Sequence, residues 1–487
     1  MLAQTPEPPP APAVNGAPPE LPPPPMVEVP PPPPAPAPAP PPVADAPPPA
    51  IQAPPPPPAK PAVTSKWSGE IYGFAEFDAI YDTTQSFNEI AGNAIIDKKG
   101  SPKGDHDRLN YSARNSRLGF RFKGPESDTV RASGIVEGDF LGNQPSDASN
   151  AALINNPTFR IRHMAGKLET PYIDVLGGQY WQLFGWQGFA FPNSVEIMGL
   201  PGQVFGRTPQ LRFSHAFKTD DITIEAAIAT SRSPQRDGGV PDTQAGLKFL
   251  INKWKGLRTA NSTGTSVDSG GIAVSGVYRK FRVNDLVDPK ATNSKNAGGV
   301  SVDAFIPVIP ATMEDRANAL TLTGSYVRGT GIADQFTGLT GGIGYPTLPT
   351  PATGSAPTYT PNIDGGLVTY YGAGDLHTID WQSFLVGLQY YLPPKGNIWI
   401  SANYSRLNSP NIADFTGATG FDPNTAAKAA GDPTKTMKES QFADGNVFVD
   451  VNKAVRFGLE FAWFKQKFVD NSTAKNYRTQ LSMFYIF

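Results

Sequence analysis

The chain ends in RTQLSMFYIF (residues 478–487), where apolar and polar side chains alternate up to the terminal aromatic residue. Successive residues of a β-strand lie on opposite faces. The apolar face holds Leu481, Met483, Tyr485 and Phe487, and the polar face holds Arg478, Gln480 and Ser482. This division is typical of an outer-membrane β-barrel, with lipid outside and water inside. We interpret the terminal apolar face as a membrane-assembly signal.

The same alternation recurs from Trp67 onward, in short runs separated by clusters of Asn, Asp, Gly, Ser and Pro. In the first run, Phe77 lies between Glu76 and Asp78. No stretch reaches the roughly 18 consecutive apolar residues of a membrane-spanning helix, so none is predicted. A closed barrel needs no such stretch, because its backbone hydrogen bonds form between strands.

Length then predicts the size of the barrel. About 420 residues follow the first 65, and at roughly 26 residues per strand and connection they predict ~16 strands. A barrel of that size encloses a water-filled channel. The predicted fold class is therefore all-β, a transmembrane antiparallel β-barrel with short turns at one end and long loops, such as 346–366 and 408–438, at the other. A soluble β-helix or sandwich would also alternate, but neither explains the terminal aromatic face.

The beginning of the chain has a different composition. Residues 5–62 contain 30 of the 53 prolines, which favours solvated polyproline II over a folded core. We therefore divide the chain into a proline-rich periplasmic extension, 1–65, and a barrel domain, 66–487. The extension is interpreted either as a disordered leader or as a spacer that binds peptidoglycan or an envelope protein.

Composition argues against several other functions. The formal net charge is −2, and no nucleic-acid motif or phosphate-binding loop is present, so no nucleic-acid partner or cofactor is expected. The four histidines, His106, His163, His215 and His377, lack the spacing of a zinc site. Ser214 and His215 are adjacent in a predicted strand and would face opposite ways, which argues against a hydrolase.

Arginines are the candidate pore residues. The alternation predicts that guanidinium groups point into the lumen, where they would favour anions. These inward residues are Arg117, Arg121, Arg131, Arg160, Arg162 and Arg212, together with Lys123. The alternative is a structural ladder in which Glu137, Asp139 and similar residues hold the arginines, because a paired guanidinium selects little.

The segment 183–207 is too apolar for a solvated loop, since its aromatic side chains would be left in water. We interpret it as a loop that folds inward and narrows the pore, with Arg207 near its end. The alternative is an external loop packed at a subunit interface. The aromatic residues are Phe184, Trp186, Phe189, Phe191 and Phe205.

Four motifs in the first half of the chain resemble those of the DcaP-like outer-membrane porins. They are IVEGDFLG (135–142), FRIRH (159–163), GQYW (178–181) and RTPQLR (207–212). Their order and spacing agree with the family over 109–212, the final strands are more weakly similar, and 233–375 cannot be matched.

The resemblance implies a homotrimer of 16-stranded barrels, an inward loop in each pore, and a preference for small anions such as dicarboxylates. By motif match, the family's pore arginines correspond to Arg160, Arg162, Arg207 and Arg212. Family members often begin with a charged coiled-coil helix, and this chain has the proline-rich extension instead. The alternation places His163 outward, and we therefore interpret it as structural or interfacial.

The predicted function is passive diffusion of small hydrophilic solutes, biased toward anions, through an outer-membrane porin of a Gram-negative bacterium. Expected partners are outer-membrane lipid, including lipopolysaccharide, further copies of the chain and small anionic solutes. The alternative is an envelope tether, in which the extension binds the cell wall and the barrel is its anchor.

Overall fold

The computed structural model describes residues 67–92, 94–125, 127, 129–142, 158–196, 199–232, 239–260, 264–285, 288, 290–337, 363, 366–371, 375–416 and 432–487. The predicted proline-rich extension lies outside the described residues. Most of the predicted loop 346–366 lies outside them as well.

Within these ranges the chain forms nineteen strands and two 3₁₀-helices. The strands are β1 Ser68–Asp82, β2 Arg108–Ser112, β3 Arg117–Lys123, β4 Arg131–Asp139, β5 Arg160–Glu169, β6 Asp174–Trp181, β7 Arg207–Lys218, β8 Ile222–Ser231, β9 Asp242–Thr259, β10 Thr265–Asn284, β11 Thr292–Ile309, β12 Leu320–Thr330, β13 Val368–Tyr371, β14 Asp375–Thr378, β15 Asp380–Tyr391, β16 Ile398–Asn408, β17 Met437–Asp450, β18 Val455–Phe468 and β19 Thr473–Ile486. The 3₁₀-helices are Ala333–Gln335 and Ile412–Phe415. No helix in the described ranges is long and apolar enough to cross a membrane.

Seventeen of the strands form one antiparallel sheet, and β13 and β14 form a separate hairpin. Both β2 and β3 pair with β1, so they are two parts of one barrel strand interrupted at 113–116. The sheet therefore has sixteen barrel strands. It closes where β1 pairs with β19, from Phe74 opposite Ile486 to Asp82 opposite Arg478. The predicted barrel and its strand number are confirmed.

The two faces of the wall differ as the alternation predicts. In β1, Phe77 and Tyr81 are exposed on the outside, whereas Glu76 and Asp78 are buried inside. The four residues of the terminal apolar face, Leu481, Met483, Tyr485 and Phe487, are all exposed on the outside of β19. An apolar outer surface suits contact with lipid, because apolar side chains can leave water without the loss of hydrogen bonds.

The two ends of the barrel have connections of different length. At one end, here called the loop end, the connections include 83–107, 182–206, 331–379 and 409–436. At the opposite end, here called the turn end, they are as short as 170–173, 219–221 and 451–454. This asymmetry agrees with the sequence prediction.

Part of the interior is a packed apolar core at the loop end, which the prediction of a water-filled channel did not include. Several connections fold inward and cover apolar side chains on the inner face of the wall. The core includes Phe87, Phe184, Leu200, Phe336, Leu367 and Ile412 from the connections, and Phe281, Trp381, Phe442 and Phe464 from the wall. Burial of these side chains away from water stabilises the folded connections.

A second inward element comes from the turn end. Strand β9 continues to Thr259, well beyond Ile251, the last residue of β9 that pairs with β8. The β9–β10 ladder shifts register between Ser269 and Gly270, and such a bulge bends the strands. We call residues 252–260 and 264–269 the hairpin tip.

The hairpin tip lies against the inner face of the wall. The Thr259 backbone N–H donates to Gln389 Oε1 at 3.1 Å, and Arg456 Nη1 donates to the carbonyl oxygen of Ala260 at 2.8 Å. Leu257 packs in a buried cluster with Trp399 and other aromatic side chains of β15–β17. The sequence did not predict this element, which occupies the β9–β18 side of the lumen.

Candidate pore constriction

The described residues of the connection between β6 and β7, 182–196 and 199–206, lie inside the barrel, and we call them the inner loop. Its first part is fixed to β9 and β10: Gln244 Oε1 accepts from the Leu183 and Phe184 backbone N–H groups at 2.8 and 2.9 Å. Ser275 Oγ accepts from the Gly185 N–H at 2.7 Å. Inward polar side chains therefore satisfy backbone donors that the loop would otherwise bury unpaired.

The middle of the inner loop reaches the other side of the barrel. The Val195 N–H donates to Asn446 Oδ1 at 2.8 Å, and the Glu196 N–H donates to Glu460 Oε2 at 3.0 Å. Ser383 Oγ in β15 donates to the carbonyl oxygen of Gly202 at 2.7 Å. Since both sides of the wall hold it, the inner loop spans the lumen.

The aromatic side chains of the inner loop all pack within the barrel. Phe184 lies in the core at the loop end, while Trp186 packs on β8 and β10 with Phe189 against it. Phe191 and Phe205 contact Trp181, with ring centroids 5.2 and 4.8 Å away. These contacts give the aromatic side chains apolar partners.

The start of the 331–379 connection contacts the inner loop and holds it in place. Val204 forms a β-bridge with Phe336, and the Phe205 N–H donates to the Gln335 carbonyl oxygen at 2.9 Å. Arg279, which is completely buried, fixes this segment to the wall. Its Nη1 and Nη2 atoms donate to the two carboxylate oxygens of Asp334 at 2.6 and 2.8 Å.

On the opposite wall, β5 contains a bulge. The β4–β5 register shifts at Glu137 and Gly138, so that Glu137 pairs with His163 and Gly138 with Ile161. Arg162 is the extra residue, and both Arg162 and His163 are buried inside. The sequence prediction that His163 points outward is therefore wrong, because strict alternation does not hold across a bulge. His163 packs on Tyr180 and Trp181, at 4.8 and 5.1 Å between ring centroids.

Three predicted pore arginines share two carboxylates, and we call this group the arginine network. Arg160 donates through Nε and Nη2 to the Asp139 oxygens at 2.9 and 2.7 Å. Arg162 donates to Glu137 at 2.7 Å and to Asp139 at 3.0 Å. Arg117 Nε lies 3.7 Å from Glu137. The Arg162 side chain is only 3% exposed and that of Arg160 is 28% exposed, so Arg160 is the member that solutes can reach.

Arg207 lies beside the arginine network at the end of the inner loop. Its guanidinium carbon is 5.0 Å from the Trp181 ring centroid and 5.4 Å from that of Phe205. Its Nη1 atom is buried and has no hydrogen-bond partner among the described residues. No carboxylate of the described residues pairs with this guanidinium, so it adds positive charge beside the arginine network.

Toward the turn end, the inner wall carries a cleft of about 350 Å³ between β3 and β8. Arg212 lines it and donates to Gln210 Oε1 at 2.8 Å. Arg121, also in the cleft, is half exposed, with Nη1 3.4 Å from Glu70. Arg131 begins β4 at the turn end, opposite Glu169, and is exposed. The structure thus brings Arg117, Arg160, Arg162 and Arg207 together, and places Arg121, Arg131 and Arg212 elsewhere on the path.

The wall behind the inner loop is acidic. Glu76, Asp78, Asp444 and Glu460 are buried, and each has at least one carboxylate oxygen without a hydrogen-bond donor among the described residues. Arg478, also buried, donates through Nε and Nη2 to Asp82 at 3.0 and 2.7 Å and through Nη1 to Glu196 at 3.2 Å. Alternation predicts that Arg478 lies on the inner face, but it gives no sign that Arg478 holds the inner loop.

The four histidines lie in different parts of the chain: His163 is in β5, His215 in β7, His377 in β14, and His106 precedes β2. Ser214 and His215 are consecutive in β7, and His215 packs on the outward Phe217 at 4.5 Å between ring centroids. No group of three or more histidine or acidic residues in the described part of the chain could hold a metal ion.

The fold and the position of the inner loop define a 16-stranded barrel of the porin type. Among solved structures, the outer membrane channel DcaP of Acinetobacter baumannii is 17% identical, with a TM-score of 0.61 over 86% of this chain and 97% of that chain. An anion-selective porin from Comamonas acidovorans is 10% identical, with a TM-score of 0.48 over 87% of this chain and 100% of its own.

The four sequence motifs resemble those of the DcaP-like porins, and the structural similarity to DcaP confirms that resemblance at the level of the fold. No protein-family model and no curated protein matches the chain.

Proposed function

We propose that this protein is an outer-membrane diffusion channel for small hydrophilic solutes, with a preference for anions. The observation that carries the proposal is the division of the closed barrel. Packed connections and the hairpin tip occupy the β9–β19 side, while the β3–β8 side keeps the cleft, whose lining includes the charged residues Arg121, Arg212 and Glu225. Solutes would cross between the inner loop and the β3–β8 wall.

Charge on this path supports the anion preference. The arginine network and Arg207 contribute four guanidinium groups against the two carboxylates of Glu137 and Asp139, which form ion pairs with the three arginines of the network but not with Arg207. An excess of positive charge in a narrow polar passage raises the local concentration of anions. Small carboxylates, including the dicarboxylates that the family resemblance implies, are the proposed solutes.

The paired arginines have a structural role as well. Arg162 pairs with both Glu137 and Asp139 and is almost fully buried, as the alternative sequence interpretation expected of a ladder. We therefore propose a division of roles, in which Arg162 holds the wall together while Arg160 and Arg207 meet the solute.

Bilayer conductance tests the channel. The purified protein in a planar bilayer should conduct, and a salt gradient should give a reversal potential of the sign expected for anion preference. A reversal potential of the opposite sign would refute the anion preference, and the absence of conductance would refute the channel.

The remaining expectations concern assembly and location. Location in the outer membrane, assembly as a trimer and the periplasmic position of the extension stay predictions. The mass of the detergent-solubilised particle tests the trimer. The tether alternative rests on residues 1–65, and loss of peptidoglycan co-sedimentation on their deletion, with unchanged conductance, would support it.

A further inference from the structure

The outer faces of β16–β19 carry a row of cross-strand partners near the loop end. Arg406 in β16 pairs with Gln441 in β17, Gln441 with Lys465 in β18, and Lys465 with Lys475 in β19. The neighbouring positions on β18 and β19 are buried inside the barrel, so these side chains project outward. We call the four residues the basic row.

The next row toward the turn end is largely aromatic. Tyr404, Ala443, Trp463 and Tyr477 are successive cross-strand partners on the same four strands. Tyrosine and tryptophan rings at this kind of position mark the boundary between lipid chains and headgroups. Two residues along a strand span roughly 7 Å, so the basic row lies at the depth of the headgroups on the loop-end side.

Lys465 and Lys475 are directly opposite each other, and like charges in that arrangement destabilise a sheet. Neither lysine forms a hydrogen bond or an ion pair with any described residue. Nearby, Arg406 Nη2 donates to Glu439 at 2.6 Å, and Glu439 is also opposite Lys467. The outer face therefore carries one carboxylate, that of Glu439, and four cationic side chains in two adjacent rows. The cations are Arg406, Lys465 and Lys475 of the basic row, and Lys467 of the next row.

We infer that Lys465 and Lys475 bind the phosphate group of a lipid headgroup in the leaflet at the loop end. Both ammonium groups can donate to the same phosphate, whose oxygens accept charge-assisted hydrogen bonds, so a shared anion removes their repulsion. A lipid fits better than free phosphate, because the aromatic row and then Phe461 and Leu481 continue as an apolar surface for the acyl chains. The inference rests on the membrane location proposed above and is independent of what the channel conducts.

Lipid titration tests the inference. Delipidated full-length protein in neutral detergent is titrated with diphosphorylated lipid A, with its dephosphorylated form and with inorganic phosphate, and bound lipid is counted by native mass spectrometry. Lys465→Gln with Lys475→Gln should weaken binding of the phosphorylated lipid about 25-fold, from roughly five-fold per lysine.

The matched control is Lys395→Gln with Lys453→Gln, two exposed lysines in connections at the turn end, which should bind the phosphorylated lipid like the unaltered protein. Equal affinity of the Lys465/Lys475 variant and the unaltered protein would overturn the inference. So would equally tight binding of dephosphorylated lipid, or inorganic phosphate binding as tightly as the lipid.

Two further measurements keep the result interpretable. If the double variant does not fold, Lys475→Gln alone should weaken binding roughly five-fold. Conductance of the double variant should be unchanged. If the unaltered protein does not conduct, the proposed channel fails while the lipid titration still decides the inference.

Discussion

The Arg162 and His163 side chains are neighbours in sequence, yet both lie inside the barrel, because the β4–β5 ladder shifts register beside them. The bulge puts Arg162 between Glu137 and Asp139 and puts His163 against Trp181. Because of this bulge, the arginine network lies next to the aromatic side chains, such as Trp181, that contact the end of the inner loop.

Replacing Arg207 by glutamine should lower the preference for anions. The variant removes a positive charge whose Nη1 atom has no partner in the described structure. We expect the anion-to-cation permeability ratio to fall roughly five-fold at low salt, equivalent to about 1 kcal/mol, and less at high salt because of screening. Reversal potentials measure the ratio, and Arg406→Gln, on the outer face, is the control. An unaltered ratio in Arg207→Gln would remove Arg207 from the selective path.

Replacing Arg162 by alanine should cost stability. The change leaves Glu137 and Asp139 with fewer partners in a buried site, and breaking such a pair typically costs about 3–5 kcal/mol. The urea midpoint for unfolding in lipid should therefore fall further in Arg162→Ala than in Arg160→Ala, since the Arg160 side chain is partly exposed. Equal midpoints for the two variants would contradict the structural role of Arg162.

Removing the hairpin tip should widen the channel. Lys255 and Ser269 are cross-strand partners, so a short Gly-Ser turn can join them in place of residues 256–268. We expect higher single-channel conductance, because the tip occupies lumen beside β15–β18. Leu257→Ala, which keeps the tip, serves as the control. A conductance equal to that of the full chain would show that the tip does not limit the ion path.

Replacing Asp334 by alanine should loosen the segment 331–337, which contacts the inner loop. Arg279 loses its two bonds to the Asp334 carboxylate and keeps its 3.0 Å bond to Asp242, so we expect a loss of about 2–4 kcal/mol and noisier open-channel current. Asp414→Ala, an exposed residue of the second 3₁₀-helix, is the control. Arg279 still donates to the Gly331 carbonyl oxygen at 2.8 Å in this variant, so a quiet current together with unchanged protease resistance of 331–337 would show that the Asp334 ion pair does not restrain this segment.

The barrel itself could be predicted because its signal is local. Each strand separates the outside of the barrel from its interior, so neighbouring side chains differ in polarity, as in Phe77 between Glu76 and Asp78. Chain length then limits the number of strands. The inner loop was also recognisable, since aromatic residues such as Trp186 and Phe205 need apolar partners wherever they lie.

The sequence by itself determined the two faces of the wall, the strand number and the apolar character of the inner loop. Only the tertiary structure decided that Arg162 and His163 share a face, that Arg207 keeps an unused donor and that the hairpin tip fills part of the lumen. These features depend on the partner across the ladder or the lumen, such as Glu137 for Arg162 and Gln389 for Thr259. Such partners are distant in sequence, so alternation along one strand carries no information about them.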